Sequence, residues 1–343
     1  MRAAVYNPYL DTLGGGERYT MTVAHALKKH GWDVDIVWDD PNIIDWLTER
    51  LGIDLAGVQV GPRIADGKGY DFVFWLSDGS LPTLFGKKNI LHFQTPFHDV
   101  SGKSLFNKLK LTRIDKIVCN SQFTKGFIDN EYGVESVVVY PPVDVAQFKP
   151  GKKENLILFV GRFSQLQQSK GQEILIQAFK NLCNTGISSW ELILAGGSEI
   201  GGGEFVTQLK KEAEGYPIEI LENLPFAEIK KLYAKAKIFW SASGFGINEQ
   251  EEPEKVEHFG ITVVEAMAAG CVPIVVNKGG HKEIVNNGQD GFLWNTLQEL
   301  SDITLDLADN EGRRKEIAAA AHQRADDFSE KHFEKEILQI AKE

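Results

Sequence analysis

Short apolar runs rich in β-branched and aromatic residues alternate along the chain with longer stretches in which apolar positions recur at helical spacing. A short continuous apolar run is typical of a strand that is buried on both faces, and a following helix can cover one of those faces. The alternation therefore predicts an α/β protein built on parallel sheets. A helical stripe predicts the first helix at 17–29, ended by Gly31. In the first half of the chain the predicted strands are 3–6, 34–38, 71–76, 89–93, 116–119 and 136–140.

A stretch rich in proline, glycine and charge, 140–155, interrupts both patterns, and the alternation then starts again. We interpret it as an interdomain hinge. The strands predicted beyond it are 156–160, 191–195, 218–221, 238–241 and 272–277. The sequence thus predicts two Rossmann-like, doubly wound domains, 1–148 and 149–325, which face a central cleft. Residues 326–343 have the pattern of a charged amphipathic helix with no strand after it, so we expect this helix to pack back on existing surface, toward the N-terminal domain.

Composition narrows the class of protein. The 343 residues are 43% hydrophobic and 25% charged, which excludes a disordered or fibrous chain. The net charge of −11 disfavours nucleic acid as a partner. No apolar run approaches the ~20 residues that span a bilayer, and the first residues lack the apolar core of a signal peptide, so we expect a cytoplasmic protein. Three cysteines lie far apart without metal-ligand spacing and are expected to be buried thiols.

Three glycines, Gly14, Gly15 and Gly16, follow the first predicted strand and open the first helix. Such a loop lets the backbone approach a ligand, and the free amides of a helix start favour an anion. A dinucleotide-binding fingerprint would require a glycine where the chain has Tyr19, which disfavours a dehydrogenase although Asp39 or Asp40 could imitate its ribose-binding acid. The alternative is a plain strand-to-helix turn.

Two cations, Arg162 and Lys170, flank the loop after the strand predicted at 156–160. Arg162 leaves the end of that strand, and Lys170 precedes a helix that begins near Gln172. Two cations held near one point suit a diphosphate, because charge-assisted contacts are the strong ones. The alternative is a pair of solvated loop charges.

Two carboxylates, Glu257 and Glu265, lie eight residues apart around a predicted helix start. The amides of Gly260, Ile261 and Thr262 are then orphan donors at the positive end of the helix dipole and form a site for phosphate. A carboxylate one turn into the helix is placed to bind a ribose diol beside that phosphate. The alternative is an ordinary acidic helix start.

Two further segments leave alternatives open. Asp33 and Asp35 form a DxD pattern, which we interpret as part of a strand and not as a metal site. The segment between Lys103 and Lys116 combines basic and apolar residues and would suit peripheral contact with an anionic membrane. A solvated helix face is the alternative for this segment.

Together these motifs resemble the large GT4 family of retaining glycosyltransferases, which have the GT-B fold, over nearly the whole chain. The strings HFQTP, CNSQFTK and YPPVD in the first half are similar to those of family members that extend lipid-linked oligosaccharides with mannose. The resemblance implies a hexosyltransferase that uses a nucleoside-diphosphate sugar, with UDP-hexose slightly favoured over GDP-mannose, and a glycan, lipid-linked or polysaccharide-precursor acceptor. It also implies a metal-independent front-face mechanism without a cofactor.

The resemblance assigns roles to individual residues. Glu257 would contact the donor sugar near its reacting carbon, and Glu265 the ribose. His92 would lie by the transferred sugar, with His98 as the alternative. The residues expected to bind the diphosphate or nucleotide are Arg162, Lys170, Gly196, Gly260, Ile261 and Thr262, with Gly15 and Gly16 approaching the donor from the other domain.

Two other functions fit the same motifs. A nucleotide-sugar epimerase shares the fold and would consume the donor without an acceptor. A catalytically silent protein that binds a sugar nucleotide would need the cations but not Glu257.

Overall fold

The computed structural model describes residues 1–11, 15–61, 63–164, 168–198 and 203–343. The chain divides into two compact units, unit 1 with Met1–Pro142 and Glu330–Glu343, and unit 2 with Val143–Ser329. Within the described ranges, no helix is long and apolar enough to cross a membrane.

The strands of the described chain are short and are named in order along the sequence. They are β1 (Arg2–Tyr6), β2 (Asp33–Val37), β3 (Gln59–Gly61), β4 (Phe72–Leu76), β5 (Asn89–Phe93), β6 (Lys116–Cys119), β7 (Val137–Val138), β8 (Glu154–Val160), β9 (Glu191–Gly196), β10 (Ile218–Glu222), β11 (Ala236–Ser241), β12 (Val272–Val276) and β13 (Phe292–Trp294).

The α-helices cover the faces of the sheets, and short 3-10 turns lie between some of the elements. The helices are α1 (Gly15–Lys29), α2 (Ile43–Leu51), α3 (Leu105–Leu111), α4 (Gln122–Tyr132), α5 (Gln172–Thr185), α6 (Gly203–Ala213), α7 (Phe226–Lys235), α8 (Ile261–Ala268), α9 (His281–Ile284), α10 (Leu297–Asp309), α11 (Glu311–Ala325) and α12 (Glu330–Lys342).

Unit 1 contains a parallel sheet with strand order β3-β2-β1-β4-β5-β6-β7. Every residue of β5 is buried, as expected of a strand covered on both faces. The C-terminal helix α12 packs on α1 and inserts Phe333, Ile337 and Ile340 into the core of unit 1. Asp33 and Asp35 lie on β2, as predicted, where Asp35 pairs with Arg2 at 2.7 Å and accepts a hydrogen bond from the Tyr70 hydroxyl at 2.5 Å.

Unit 2 contains a second parallel sheet with strand order β10-β9-β8-β11-β12-β13. Its core includes the fully buried side chains of Trp240 and Trp294. The strand predictions match both sheets except at the edges, where the three-residue strands β3 and β13 were not expected. Cys119 and Cys271 are buried, as predicted, but Cys183 on α5 is partly exposed.

The chain passes between the two units at 142/143 and at 329/330, a few residues from the expected boundaries at 148/149 and 325/326. The Val143 backbone N–H donates to the Phe328 carbonyl oxygen at 3.0 Å, so both crossing segments meet in unit 2. The Phe328 ring contacts Phe259 edge to face, with 5.5 Å between the ring centroids. Local packing therefore holds 143–148 and 326–329 in unit 2.

The ends of β8 and β9 approach each other so closely that one position excludes a side chain. A Cβ at Gly196 would overlap the carbonyl oxygen of Gly161, whereas a Cβ at Gly197 would meet only the Asn223 Oδ1, at 3.8 Å. The absence of a side chain at Gly196 thus lets the Gly161 loop pass beside β9.

We expect Gly196→Ala to lower the free energy of unfolding by about 1–3 kcal/mol, because the added methyl group must displace backbone. Urea denaturation of the intact chain measures this change. Gly197→Ala is the matched control and should leave the midpoint near that of wild type. Equal midpoints for Gly196→Ala and wild type would contradict the packing described here.

Candidate active site

An ion pair in unit 2 joins two of the predicted site residues. The Lys170 Nζ lies 2.8 Å from the Glu257 Oε2, and both side chains are largely buried, with 13% and 21% of their surface exposed. Lys170 also donates to the Gln168 Oε1 at 2.6 Å, and the Gln168 amide donates to the Val256 carbonyl oxygen. The loop before α5 and the loop before α8 are therefore tied together by side chains at this point.

The charge of Glu257 is stabilised by its neighbours. Burial alone would raise the pKa of this carboxyl, but the nearby Lys170 ammonium outweighs burial and lowers it from 4.5 to about 2. Glu257 is consequently a carboxylate at neutral pH and cannot donate a proton there.

The backbone around Glu257 is held by two glycines that follow β12. The Gly280 N–H donates to the Glu257 carbonyl oxygen at 2.8 Å, and a Cβ on Gly280 would lie only 2.5 Å from the His258 carbonyl oxygen. The Gly279 N–H donates to the Glu249 carboxylate at 2.8 Å, and Lys282 pairs with the same carboxylate at 2.7 Å. These contacts fix the loop that carries Glu257 against the end of the sheet.

A neutral histidine lies beside this loop and was not singled out by its sequence. His281 is fully buried, and its Nδ1 donates to the Val276 carbonyl oxygen at 3.1 Å. Burial lowers the pKa of its imidazole to about 4. Its Nε2 has no hydrogen-bond partner among the described residues, and its Cδ2 would lie 3.3 Å from a Cβ at Gly260. The ring therefore presents an unprotonated acceptor next to the start of α8.

The start of α8 is formed by Gly260, which adopts φ of 116° and supplies no side-chain cap. A residue with a Cβ would be strained in this conformation. The Ile261 and Thr262 amides belong to the first turn, where N–H groups have no acceptor within the helix. Such donors lie at the positive end of a helix dipole, and anion binding by them stays a prediction.

One turn into α8, the Glu265 carboxylate is oriented by a tyrosine from α7. The Tyr233 hydroxyl donates to the Glu265 Oε2 at 2.8 Å. Tyr233 is fully buried, and burial together with Glu265 raises the pKa of its phenol, so the hydroxyl keeps its proton. The sequence offers no local signal for this partner, which lies 32 residues from Glu265.

The remaining predicted residues of unit 2 lie at the same edge of its sheet, where the carboxyl ends of parallel strands meet. Arg162 is exposed just after β8, and its carbonyl oxygen accepts a hydrogen bond from the Gln172 amide at 2.7 Å. Gly196 ends β9 against Gly161. Gly171, which follows Lys170, packs against Ala242 at the end of β11. The structure thus brings the predicted cations, the carboxylates and the α8 start to one edge.

In unit 1, the described part of the glycine loop begins at Gly15, which is the first residue of α1, while Gly14 lies outside the described residues. A Cβ on Gly16 would lie 3.1 Å from the Gln94 Oε1. The Gln94 amide in turn lies 3.0 Å from the His92 Nε2. Gln94 therefore stands between the glycine loop and His92.

His92 is at the end of a strand, as expected, but its ring is a core group with no exposed surface. It stacks on Tyr19, with 4.0 Å between the ring centroids, and its Nδ1 lies 3.0 Å from the Val118 carbonyl oxygen. Burial lowers the pKa of His92 to about 3. The Nε2 of His92 therefore faces Gln94 and not solvent. A contact between His92 and a sugar stays a prediction. The alternative, His98, is half-buried, and its Nδ1 lies 3.0 Å from the Asp99 Oδ2.

Comparison with known sequences identifies the family of the chain. Residues 143–324 match the family described as "Glycosyl transferases group 1", and residues 13–147 match the one described as "Glycosyltransferase Family 4". The chain belongs to the group 1 glycosyltransferases. The resemblance drawn from the motifs is therefore confirmed at the level of the family.

Two curated relatives and one solved structure show how far this group 1 glycosyltransferase resembles known members. It is 30% identical over 247 residues to the human GDP-Man:Man(3)GlcNAc(2)-PP-Dol alpha-1,2-mannosyltransferase, an alignment that covers 65% of this chain and 47% of that protein. It is 27% identical over 300 residues to an uncharacterised glycosyltransferase of Methanocaldococcus jannaschii, covering 83% of this chain and 78% of the relative. The chain thus spans about half the length of the curated mannosyltransferases that it matches.

The crystal structure of a glycosyltransferase from Rickettsia africae superposes with a TM-score of 0.79 at 20% identity, covering 99% of this chain and 97% of that one. This likeness concerns the fold. The predicted fold class, a GT-B glycosyltransferase with two Rossmann-like parallel-sheet units, is confirmed.

The ion pair predicts a specific pH dependence of stability. The pKa of Glu257 is about 2 in the folded protein against an ordinary value of 4.5. A carboxylate whose pKa is lower in the folded than in the unfolded protein stabilises the fold when the pH is above the unfolded-state pKa. This stabilisation is lost as the pH falls toward the folded-state pKa. The free energy of unfolding of wild type should therefore fall more steeply between pH 4.5 and pH 2 than that of Glu257→Gln.

Urea denaturation at a series of pH values measures both slopes. Glu251→Gln changes an exposed carboxylate in the same loop and should follow wild type. Parallel curves for wild type and Glu257→Gln would show that Lys170 does not hold Glu257 ionised.

Proposed function

We propose that this group 1 glycosyltransferase transfers a hexose from a nucleoside-diphosphate sugar to a saccharide acceptor, with retention of configuration. The observation that carries the proposal is the Lys170–Glu257 pair at 2.8 Å, at the sheet edge where α8 begins with an uncapped glycine. This arrangement offers a cation, a carboxylate and helix amides to one ligand. A nucleoside-diphosphate sugar has the complementary groups, which are an anionic diphosphate and sugar hydroxyls.

The diphosphate would bind to Arg162, Lys170 and the first amides of α8. When a sugar leaves, negative charge develops on the departing phosphate, and cations held in place stabilise it without reorganisation. Lys170 is already held by Gln168 and Glu257, so its ammonium is positioned before the donor arrives. These groups would stabilise the leaving diphosphate without a metal or a cofactor.

Glu257 would accept hydrogen bonds from hydroxyls of the donor sugar and stabilise the positive charge that develops on its ring. It would not act as a general acid, because its pKa of about 2 keeps it ionised at neutral pH. In this respect it differs from the acid of a glycosidase, whose pKa must be raised. The Nε2 of His281 offers a further acceptor beside α8.

The transfer itself would take place on one face of the sugar. The bond between the anomeric carbon and the phosphate oxygen breaks while the acceptor oxygen bonds to the same face of that carbon. The acceptor proton passes to the departing phosphate oxygen. No protein side chain has to accept it.

Glu265 would bind the ribose diol. The Tyr233 hydroxyl holds one of its oxygens at 2.8 Å and fixes the direction of the carboxylate. A carboxylate that is oriented in advance loses less side-chain entropy when it binds a diol.

For the donor, the likeness to mannosyltransferases that are named for GDP-Man favours GDP-mannose. This preference differs from the slight preference for UDP-hexose that the sequence alone suggested. A lipid-linked saccharide is the acceptor named for the same relatives. Because the chain spans about half of their length, both assignments are part of the proposal.

Donor binding can be tested by thermal shift of the purified protein against GDP-mannose, UDP-glucose and ADP-glucose, each with EDTA and with magnesium. We expect one donor to stabilise the protein, by about 2.7 kcal/mol at 100 times its dissociation constant. Arg162→Ala should greatly reduce this shift, while Arg50→Ala, an exposed arginine on α2, should not change it. No shift with any donor would overturn the proposed ligand.

Turnover should depend on Glu257 far more than donor binding does. We expect Glu257→Gln to lower kcat about 100-fold or more, as for the loss of a group that stabilises transition-state charge, while the thermal shift with the donor remains. Sugar transfer, measured as release of nucleoside diphosphate in the presence of acceptor, tests this expectation. Glu251→Gln serves as the matched control.

Equal rates for Glu257→Gln and wild type would remove Glu257 from the mechanism. Donor binding by wild type without sugar release would favour the catalytically silent alternative, and donor consumption without an acceptor would favour the epimerase.

A further inference from the structure

Helix α3 in unit 1 presents large apolar side chains to solvent. Leu105, Phe106 and Leu109 have 81%, 67% and 69% of their surface exposed, and the helix contains no buried residue. In the described chain nearly all other large apolar side chains are buried or half-buried. We call these three residues, together with the neighbouring cations Lys103, Lys108 and Arg113, the α3 surface.

The helix is formed and attached despite its exposure. The Ser104 hydroxyl caps it by accepting a hydrogen bond from the Asn107 N–H at 3.3 Å. Lys110 donates to the Leu81 carbonyl oxygen, and Leu111 packs against the core beneath. The apolar side chains of the α3 surface therefore project from an anchored element and not from a frayed segment.

Two cations lie over aromatic rings at the α3 surface or beside it. The Lys110 ammonium lies 4.7 Å from the centroid of the Phe106 ring. The Arg113 guanidinium lies 4.6 Å from the centroid of the Phe85 ring, and Phe85 is itself 47% exposed. Such side chains can place apolar atoms below a polar boundary and keep their charge above it.

The charge of this segment is opposite to that of the chain. Between Lys103 and Lys116 there are five cations and one aspartate, whereas the whole chain carries a net charge of −11. One of these cations, Lys116, pairs with Glu343. The positive charge is thus concentrated around the exposed apolar side chains.

We infer that the α3 surface docks on an anionic lipid bilayer. An amphipathic helix binds there by placing its apolar side chains at the boundary between headgroups and acyl chains, while nearby lysines and arginines contact the lipid phosphates. A second copy of the chain fits less well, because a symmetric contact would bring two positively charged surfaces together. The inference goes beyond the proposed function and does not depend on it.

Vesicle flotation of the full chain tests the inference, with vesicles of phosphatidylcholine alone and of phosphatidylcholine mixed with phosphatidylglycerol. We expect binding to the mixed vesicles that is at least about tenfold tighter than to phosphatidylcholine alone and that weakens with salt. The variant Leu105→Gln/Phe106→Gln/Leu109→Gln keeps the cations and should lose about tenfold or more of this binding.

Two controls separate the contributions. Phe226→Gln removes an exposed phenylalanine of unit 2 that also has a lysine near its ring, Lys230 at 5.0 Å, and should bind vesicles like wild type. Lys108→Glu/Arg113→Glu should lose the preference for anionic vesicles. Circular dichroism and the melting temperature confirm that each variant is folded, as expected for exposed positions.

Absence of wild-type binding to anionic vesicles would overturn the inference, as would equal binding by the triple glutamine variant. Dimerisation in sedimentation experiments that the same variant abolishes would assign the α3 surface to a second copy. The thermal shift with sugar nucleotides does not involve this helix, so failure on vesicles leaves the proposed function intact.

Discussion

The candidate site depends on keeping a carboxylate ionised inside the protein, and the Lys170–Glu257 pair meets this requirement. Removing either partner would leave the other charge largely buried without compensation, which is a costly situation. The same pair links the loop before α5 to the loop before α8 through Gln168. A single electrostatic contact therefore contributes to the ionisation of the site, to the position of its lysine and to the geometry of two loops.

Glycines near this pair allow backbone segments to pack closely at the carboxyl edge of the sheet, where a side chain would not fit. Gly196 allows the Gly161 loop to pass β9, and Gly280 lies against the backbone of His258. Gly260 adopts a left-handed conformation and starts α8 without a side-chain cap. Gly196 and Gly280 are therefore required for close approach of backbone, and Gly260 for the start of a helix. The N–H groups of the first turn of α8 are donors, and such donors suit a phosphate.

The sequence predicted those features that are local along the chain. Strands such as β4 and β12 are continuous apolar runs, and a glycine between two carboxylates marks the start of α8 in the sequence. The edge strands β3 and β13 are too short to show a period, and their pairing comes from tertiary structure. The Tyr233–Glu265 contact joins residues 32 positions apart, and the burial of His92 depends on α1 above it. Spacing along a sequence carries no signal for such contacts.

The uneven distribution of charge links the two proposals. A chain with a net charge of −11 repels anions on average, so cations bind an anion only where they are placed locally and partly shielded from the rest of the surface. In unit 2 this is achieved by burying Lys170 beside a helix start, and in unit 1 by grouping cations around exposed apolar side chains on α3. The first arrangement is largely buried and suits one small ligand. The second arrangement is exposed, with cations near apolar side chains, and suits an extended anionic surface. Burial therefore distinguishes the two kinds of anion that these cations would bind.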